Sequence, residues 1–116
     1  MSRRRAERGG RRAERLAAWW LRLKGWRILA VRARTPVGEV DLVVRRGRTL
    51  VFVEVKARAT FAAAELALDE HRLRRVVRAA EALLPRYQHA DDTVRIDALF
   101  MTPWRRPRHL TNISQL

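Results

Sequence analysis

Cysteine is absent from all 116 residues, which excludes disulfide staples, thiol nucleophiles and Cys-ligated zinc. The absence agrees with a reducing compartment. Long apolar runs are missing too: no segment approaches the roughly 20 apolar residues of a membrane span. The basic opening Arg3-Arg4-Arg5 leads into no signal-peptide core. A soluble, cytoplasmic protein with no membrane partner is therefore expected. Five glycines are present, but they form no phosphate-cradling loop, and no Gly-x-Ser-x-Gly elbow occurs. His71, His89 and His109 are scattered without metal-ligand spacing, which argues against a conventional zinc site. Acidic residues are scarce, with 12 Asp and Glu against 26 Lys and Arg, a formal charge of +14.

That excess is carried almost wholly by arginine, since Lys24 and Lys56 are the only lysines. A small body of such charge concentrates polyanions around itself and supplies the phosphate contacts on which nucleic-acid affinity rests. Nucleic acid, DNA above all, is the partner expected. The hydrophobic fraction of 47% is that of a folding chain. The length suits one core. Residues 1–10 read as a basic flexible tail and residues 11–116 as a single domain.

Ala13, Leu16, Ala17, Trp20 and Leu23 recur at three- and four-residue steps and predict a first helix from Arg11, stopped at Gly25. Trp26 to Arg34 reads as a strand, followed by a turn at residues 35–38. Two more strands, Glu39 to Arg46 and Thr49 to Ala57, are joined at Gly47 as a hairpin. Residues 60–68 look irregular. Leu73, Val76, Val77, Ala80, Leu83 and Leu84 mark a second helix that Pro85 should end. Val94, Ile96, Ala98 and Phe100 alternate as a fourth strand, and a basic, partly aromatic tail begins at Pro103. The order α-β-β-β-α-β predicts an α/β fold with a mixed sheet and flanking helices.

The run Leu50 to Val55 has the apolar, β-branched character of a central strand, so Glu54 and Lys56 stand out. Alternation puts both on one face, with Val53 and Val55 on the other. A turn on Gly47 and Arg48 pairs Arg46 with Thr49 and, counting back, sets Asp41 opposite Glu54. A one-residue slip would part them. Carboxylates facing each other across a ladder repel, and a hard divalent cation, Mg2+ or Mn2+, is the natural compensation. Such a cation, with Lys56 to orient water or offset developing charge, is a recipe for phosphodiester hydrolysis.

Certain segments make a further case: Arg12-Ala13-Glu14-Arg15, Gly25-Trp26-Arg27-Ile28-Leu29, Gly38-Glu39-Val40-Asp41-Leu42, and Leu50-Val51-Phe52-Val53-Glu54-Val55-Lys56 with Arg58. With these residues the chain resembles the YraN family of uncharacterised bacterial proteins. That family is similar to Holliday-junction resolvases of the PD-(D/E)XK nuclease superfamily. Weaker likeness extends through Ala64-Glu65, Arg95-Ile96-Asp97 and Arg108-His109-Leu110. The resemblance implies a restriction-endonuclease-like core in which Asp41, Glu54 and Lys56 are catalytic. Asp41 and Glu54 would bind metal with Glu14 as an additional acidic ligand, and Arg12, Arg15 and Arg58 would contact phosphate. Two-fold substrates of resolvase-like enzymes imply a homodimer. Val40 stands where the superfamily's proline would be, and Glu70-His71-Arg72 where relatives often carry lysine.

Plainer roles compete. Glu14 near a helix start also suits the helix dipole, Glu39 reads as solvated or Arg-paired, and Asp97 as a structural, hydrogen-bonded acid. Trp20 and Trp26 are expected in the core and Trp19 and Trp104 partly at the surface; Pro103-Trp104-Arg105-Arg106 has the makeup of a base-stacking segment, with a plain packing role at the C-terminus as the favoured reading. Three functions follow. One is a metal-dependent endonuclease acting on branched or structured DNA. Another is a catalytically silent nuclease-fold module that binds nucleic acid. The third is an interaction protein docking an acidic or ribonucleoprotein partner.

Overall fold

The computed structural model describes residues 3–114 and 116, with side chains from residue 10 onward. Its elements run α1 (Arg3–Leu23), β1 (Arg27–Thr35), β2 (Gly38–Arg46), β3 (Thr49–Ala57), α2 (Phe61–Ala67), α3 (Glu70–Tyr87), β4 (Thr93–Met101) and β5 (Arg108–Ser114). The five strands form one mixed sheet in the order β1-β2-β3-β4-β5, parallel between β3 and β4 and antiparallel elsewhere. The fold is therefore mixed α/β with three helices.

Four differences from the sequence reading have local causes. The backbone is already helical at Arg3, so most of the expected tail belongs to α1, while Met1 and Ser2 lie outside the described residues. Residues 61–67 form a short helix capped by Thr60, whose hydroxyl accepts the Ala63 N–H at 3.1 Å. Seven residues are too few for a periodic signal. Pro85 lies inside α3, which runs on to Tyr87, because proline removes only its own N–H and the helix ends before a further turn is needed. β5 is a mostly exposed edge strand, and exposure on both faces erases the apolar alternation that would have revealed it.

The helices cover the sheet from two sides. Val51, Val53 and Val55 of β3, with Leu42, Val44 and Leu99, pack against Ala13, Ala17, Ala18 and Leu21 of α1. On the other face, Leu50, Phe52, Val43 and Ile96 meet Val76, Ala79, Ala80 and Leu83 of α3. Ala98 and Phe100 continue that face toward Ala64 of α2. Phe52, Leu21, Leu42, Leu83 and Leu99 are fully buried, each contributing roughly 1.5–3 kcal/mol of transfer free energy. β3 is thus covered on both faces, as its composition predicts.

Polar clamps fix where the strands end. The Arg45 guanidinium grips both oxygens of Asp92 at 2.8 Å and donates to the Tyr87 carbonyl at 2.9 Å. The Thr93 N–H donates to Arg48 O at 2.8 Å, so β4 enters beside β3 in a single register. At the far side of β4, the fully buried Asp97 accepts from Arg95 at 2.9 Å, from the Asn112 N–H at 2.8 Å and lies 2.7 Å from His109 Nε2. Burial alone would raise the Asp97 pKa, but His109, Arg95 and the Asn112 N–H together hold it below its usual value. As expected, Asp97 is a structural acid, and it pins β5 to β4.

Candidate active site

The β2–β3 hairpin pairs Arg46 with Thr49 and continues in that register to Leu42 opposite Val53, where the ladder stops. Asp41 and Glu54 would be the next pair. β3 goes on alone with β4 to Ala57, so the two strands part where the carboxylates stand. Val40 packs into the α3-side cluster, out of step with Leu42 and Val44 on the α1 side. β2 therefore turns as it leaves its partner. The Val55 N–H, deprived of a ladder carbonyl, donates to Asp41 Oδ2 at 2.7 Å. This bond holds the Asp41 carboxylate in the opening between the strands.

Glu54 and Lys56 continue the face of Leu50 and Phe52, toward α3. Lys56 Nζ lies 3.6 Å from Glu54 Oε1. Asp41, Glu54 and Lys56 are each 8% exposed, and all three line one cleft of about 170 Å³ with Gly38, Glu39, Arg72, Arg75 and Val76. Three charged groups are thus largely withdrawn from water yet open onto one cavity. Gly38 makes part of the wall with φ +148°, and a Cβ there would sit 3.5 Å from the Arg75 carbonyl. The backbone conformation, more than the space, calls for glycine.

Burial pushes the Asp41 pKa up to about 8, helped by a hydrogen bond and like charge from Glu54 and opposed by the Val55 N–H and Lys56. Two facing acids of this kind cannot both ionise cheaply. The one ammonium contacts Glu54 at 3.6 Å, so Asp41, were it ionised, would lack a counterion of its own at that distance. That donor set fits a hard divalent cation, which takes one or two protein carboxylates and completes its shell with water or phosphate oxygen. Among the described residues, no three His, Asp or Glu side chains converge as a self-sufficient cation cage.

The structure brings Asp41, Glu54 and Lys56 to one cleft, and Glu14 lines another cavity. Glu14, buried on α1, takes the Arg32 Nε at 2.6 Å. Burial raises its pKa against that bond, and the negative charge of Asp41 adds to the rise. Glu14 thus feels Asp41 electrostatically while lining a different cavity, of about 820 Å³, with Arg11, Arg12, Arg15, Arg32 and Arg34. Arg58 is exposed beyond the end of β3, where its Nη1 donates to the Ala57 carbonyl at 2.7 Å. Glu39 lies 3.6 Å from Arg34 in an exposed pair. Arg72 and Arg75, three residues apart on α3, are cleft residues that helical spacing suggested only as one face of a helix. Arg32 carried no sequence signal, because its φ of +54° lies outside regular strand geometry.

A family model described as uncharacterised protein family UPF0102 matches residues 13–101. A UPF0102 protein of Rhizorhabdus wittichii is 63% identical over 108 residues, covering 93% of this chain and 92% of the relative. One from Sphingopyxis alaskensis is 58% identical over 115 residues, 99% of both chains. Another from Erythrobacter litoralis is 51% identical, again over 99% of each. No helix among the described residues is long and apolar enough to cross a membrane.

Proposed function

We propose that this chain, which belongs to the uncharacterised protein family UPF0102, is a divalent-metal-dependent phosphodiesterase of the restriction-endonuclease-like type, acting on nucleic acid. The observation that carries the reading is the parting of β2 from β3 at Asp41 and Glu54. It opens a polar cleft, with Lys56, beside the apolar core packed under α3. A purely structural sheet gains nothing by burying two acids against each other.

In this reading Asp41 and Glu54 hold Mg2+ or Mn2+. When bound, the ion supplies Lewis acidity toward a phosphate oxygen and toward water. The Val55 N–H keeps the Asp41 carboxylate aimed into the cleft. Lys56, 3.6 Å from Glu54, orients the attacking water and offsets charge that accumulates on the phosphate. Arg72 and Arg75 are exposed residues of the same cleft, suited to grip the phosphates flanking the scissile one. Glu14, ion-paired with Arg32 and coupled by charge to Asp41, would be the additional acidic group toward the ion. Arg12, Arg15 and Arg58 are assigned to the phosphate backbone, DNA being the expected substrate, with a homodimer matching two-fold branched forms. Incubating the protein with branched, duplex and single-stranded DNA in Mg2+ or Mn2+ tests this. Cleavage that is lost in Asp41→Ala and Glu54→Ala supports the assignment, and cleavage that persists in both rejects the site.

A second reading, a catalytically silent module that binds nucleic acid, draws on the same geometry. The Lys56–Glu54 pair and a protonated Asp41 would leave these three groups balanced without any ion. It requires DNA binding with steep salt dependence and no metal-stimulated turnover.

A further inference from the structure

Away from the acidic cleft, on the α1 side of the sheet, a separate cavity of about 360 Å³ opens between α1 and the ends of β3 and β4. Its walls are apolar, built by Leu16, Ala57, Met101 and Pro103, and its polar lining is small, with Arg12 and Arg58 the charged residues. Leu16 is 54% exposed there, an unusual exposure for a large side chain facing a concavity. Arg12 also lines the arginine-rich groove between α1 and β1, so the basic groove and the apolar slot share a wall.

Two details give the slot a chemical identity. Thr102 lines it, and its buried hydroxyl oxygen has no hydrogen-bond partner among the described residues. Leaving such a group unmade is unfavourable by roughly 1–3 kcal/mol. Next to the wall residue Pro103 stands Trp104, fully exposed, with φ +65°. A bulky side chain in the left-handed region is a conformational outlier, and the indole stands out in water, followed by the exposed Arg105 and Arg106.

An apolar slot flanked by arginines and a projecting aromatic matches an unstacked nucleobase on a phosphodiester strand. The walls take the ring faces, Arg12 and Arg58 meet the adjoining phosphates, and Trp104 stacks on the neighbouring base. We infer that this α1–β3–β4 slot is a binding site for an unpaired nucleotide, selecting DNA that carries an unstacked base over perfectly paired duplex. The inference rests on the nucleic-acid reading above and narrows its substrate to single-stranded, bulged or branched forms. The formal charge of +14 supplies sequence-independent attraction to any DNA, and the slot supplies the discrimination.

Fluorescence anisotropy of the full chain in EDTA, at fixed salt, with a labelled duplex and the same duplex bearing one unpaired adenine, measures this without any turnover. Wild type is expected to bind the bulged duplex about tenfold more tightly, the range of one base-stacking contact. Leu16→Gln and Trp104→Ala, both at exposed positions, should each reduce that preference to about threefold or less while affinity for paired duplex changes less than about twofold. Equal affinity for the two duplexes in wild type, or a preference undiminished in both variants, overturns the inference. No preference in wild type, with Mg2+-dependent cleavage intact, refutes the slot alone. Preference without cleavage refutes the hydrolytic reading alone.

Discussion

Replacing Asp41 with asparagine should stabilise the metal-free protein at pH 8 while destroying its affinity for divalent cations. The folded-state pKa of Asp41 is raised from 3.8 to about 8, first by burial and then by Glu54. An acid whose folded pKa is raised stabilises the fold fully below its unfolded value, and that contribution is lost as pH rises through the folded value. The window therefore runs from about pH 4 to about pH 8. Titrating alone, such a group lowers stability by about 3–4 kcal/mol between pH 5 and pH 8. Asparagine mimics the protonated acid: its carbonyl can still accept the Val55 N–H, and its amide can donate to Glu54. Glu14, whose pKa is also raised, mainly by burial and in part by the Asp41 charge, contributes a slope of the same sign that is smaller in Asp41→Asn. Asp97, held below its usual value, loses its contribution only as pH falls through that lower range, outside this window. Urea unfolding in EDTA across this window should show stability falling with pH in wild type, and markedly less so in Asp41→Asn. Parallel pH profiles for the two proteins would refute the claim that Asp41 is a buried acid pressed against Glu54.

Saturating Mn2+ at about a hundred times its Kd should stabilise wild type by about 2.7 kcal/mol, visible as a rise in thermal midpoint that disappears in Glu54→Ala. Lys56→Ala should cut the DNA cleavage rate by about a hundredfold or more while altering DNA affinity little, because its ammonium acts on charge that develops at the phosphate; single-turnover kinetics separate the two. His109→Ala removes a partner 2.7 Å from the fully buried Asp97 and should cost about 1–3 kcal/mol in urea unfolding. Gly38→Ala, at φ +148°, should destabilise by about 1–3 kcal/mol and weaken cation binding, since that residue shapes the cleft wall.

The central hairpin and its register were legible because a Gly47-Arg48 turn fixes Arg46 opposite Thr49, and the two-residue period does the rest. Counting alone could not show that the ladder would stop before Asp41 and Glu54. The departure of Val40 from strict alternation is a three-dimensional event, in which β2 turns away and a side-chain carboxylate stands in for a backbone acceptor. Glu14 was visible as an acid on α1, but its capture by Arg32 depends on a left-handed residue within β1 that no periodicity announces. The surface placement of Trp19 and Trp104 and the burial of Trp26 followed from their neighbours. Edge strand β5 and the seven-residue α2 escaped because exposed or very short elements leave no apolar period. Asp97 was legible as a structural acid because it sits in an apolar strand, whereas its partners Arg95 and His109 come from the fold, His109 through the β4–β5 pairing.

Titration calorimetry of Mn2+ or Mg2+ into the wild-type chain and into Asp41→Ala addresses the pocket without assuming any substrate. The account predicts saturable binding to wild type that is abolished in the variant. Undiminished binding in Asp41→Ala, or none in wild type, would contradict the claim that the parted strands β2 and β3 form a cation site.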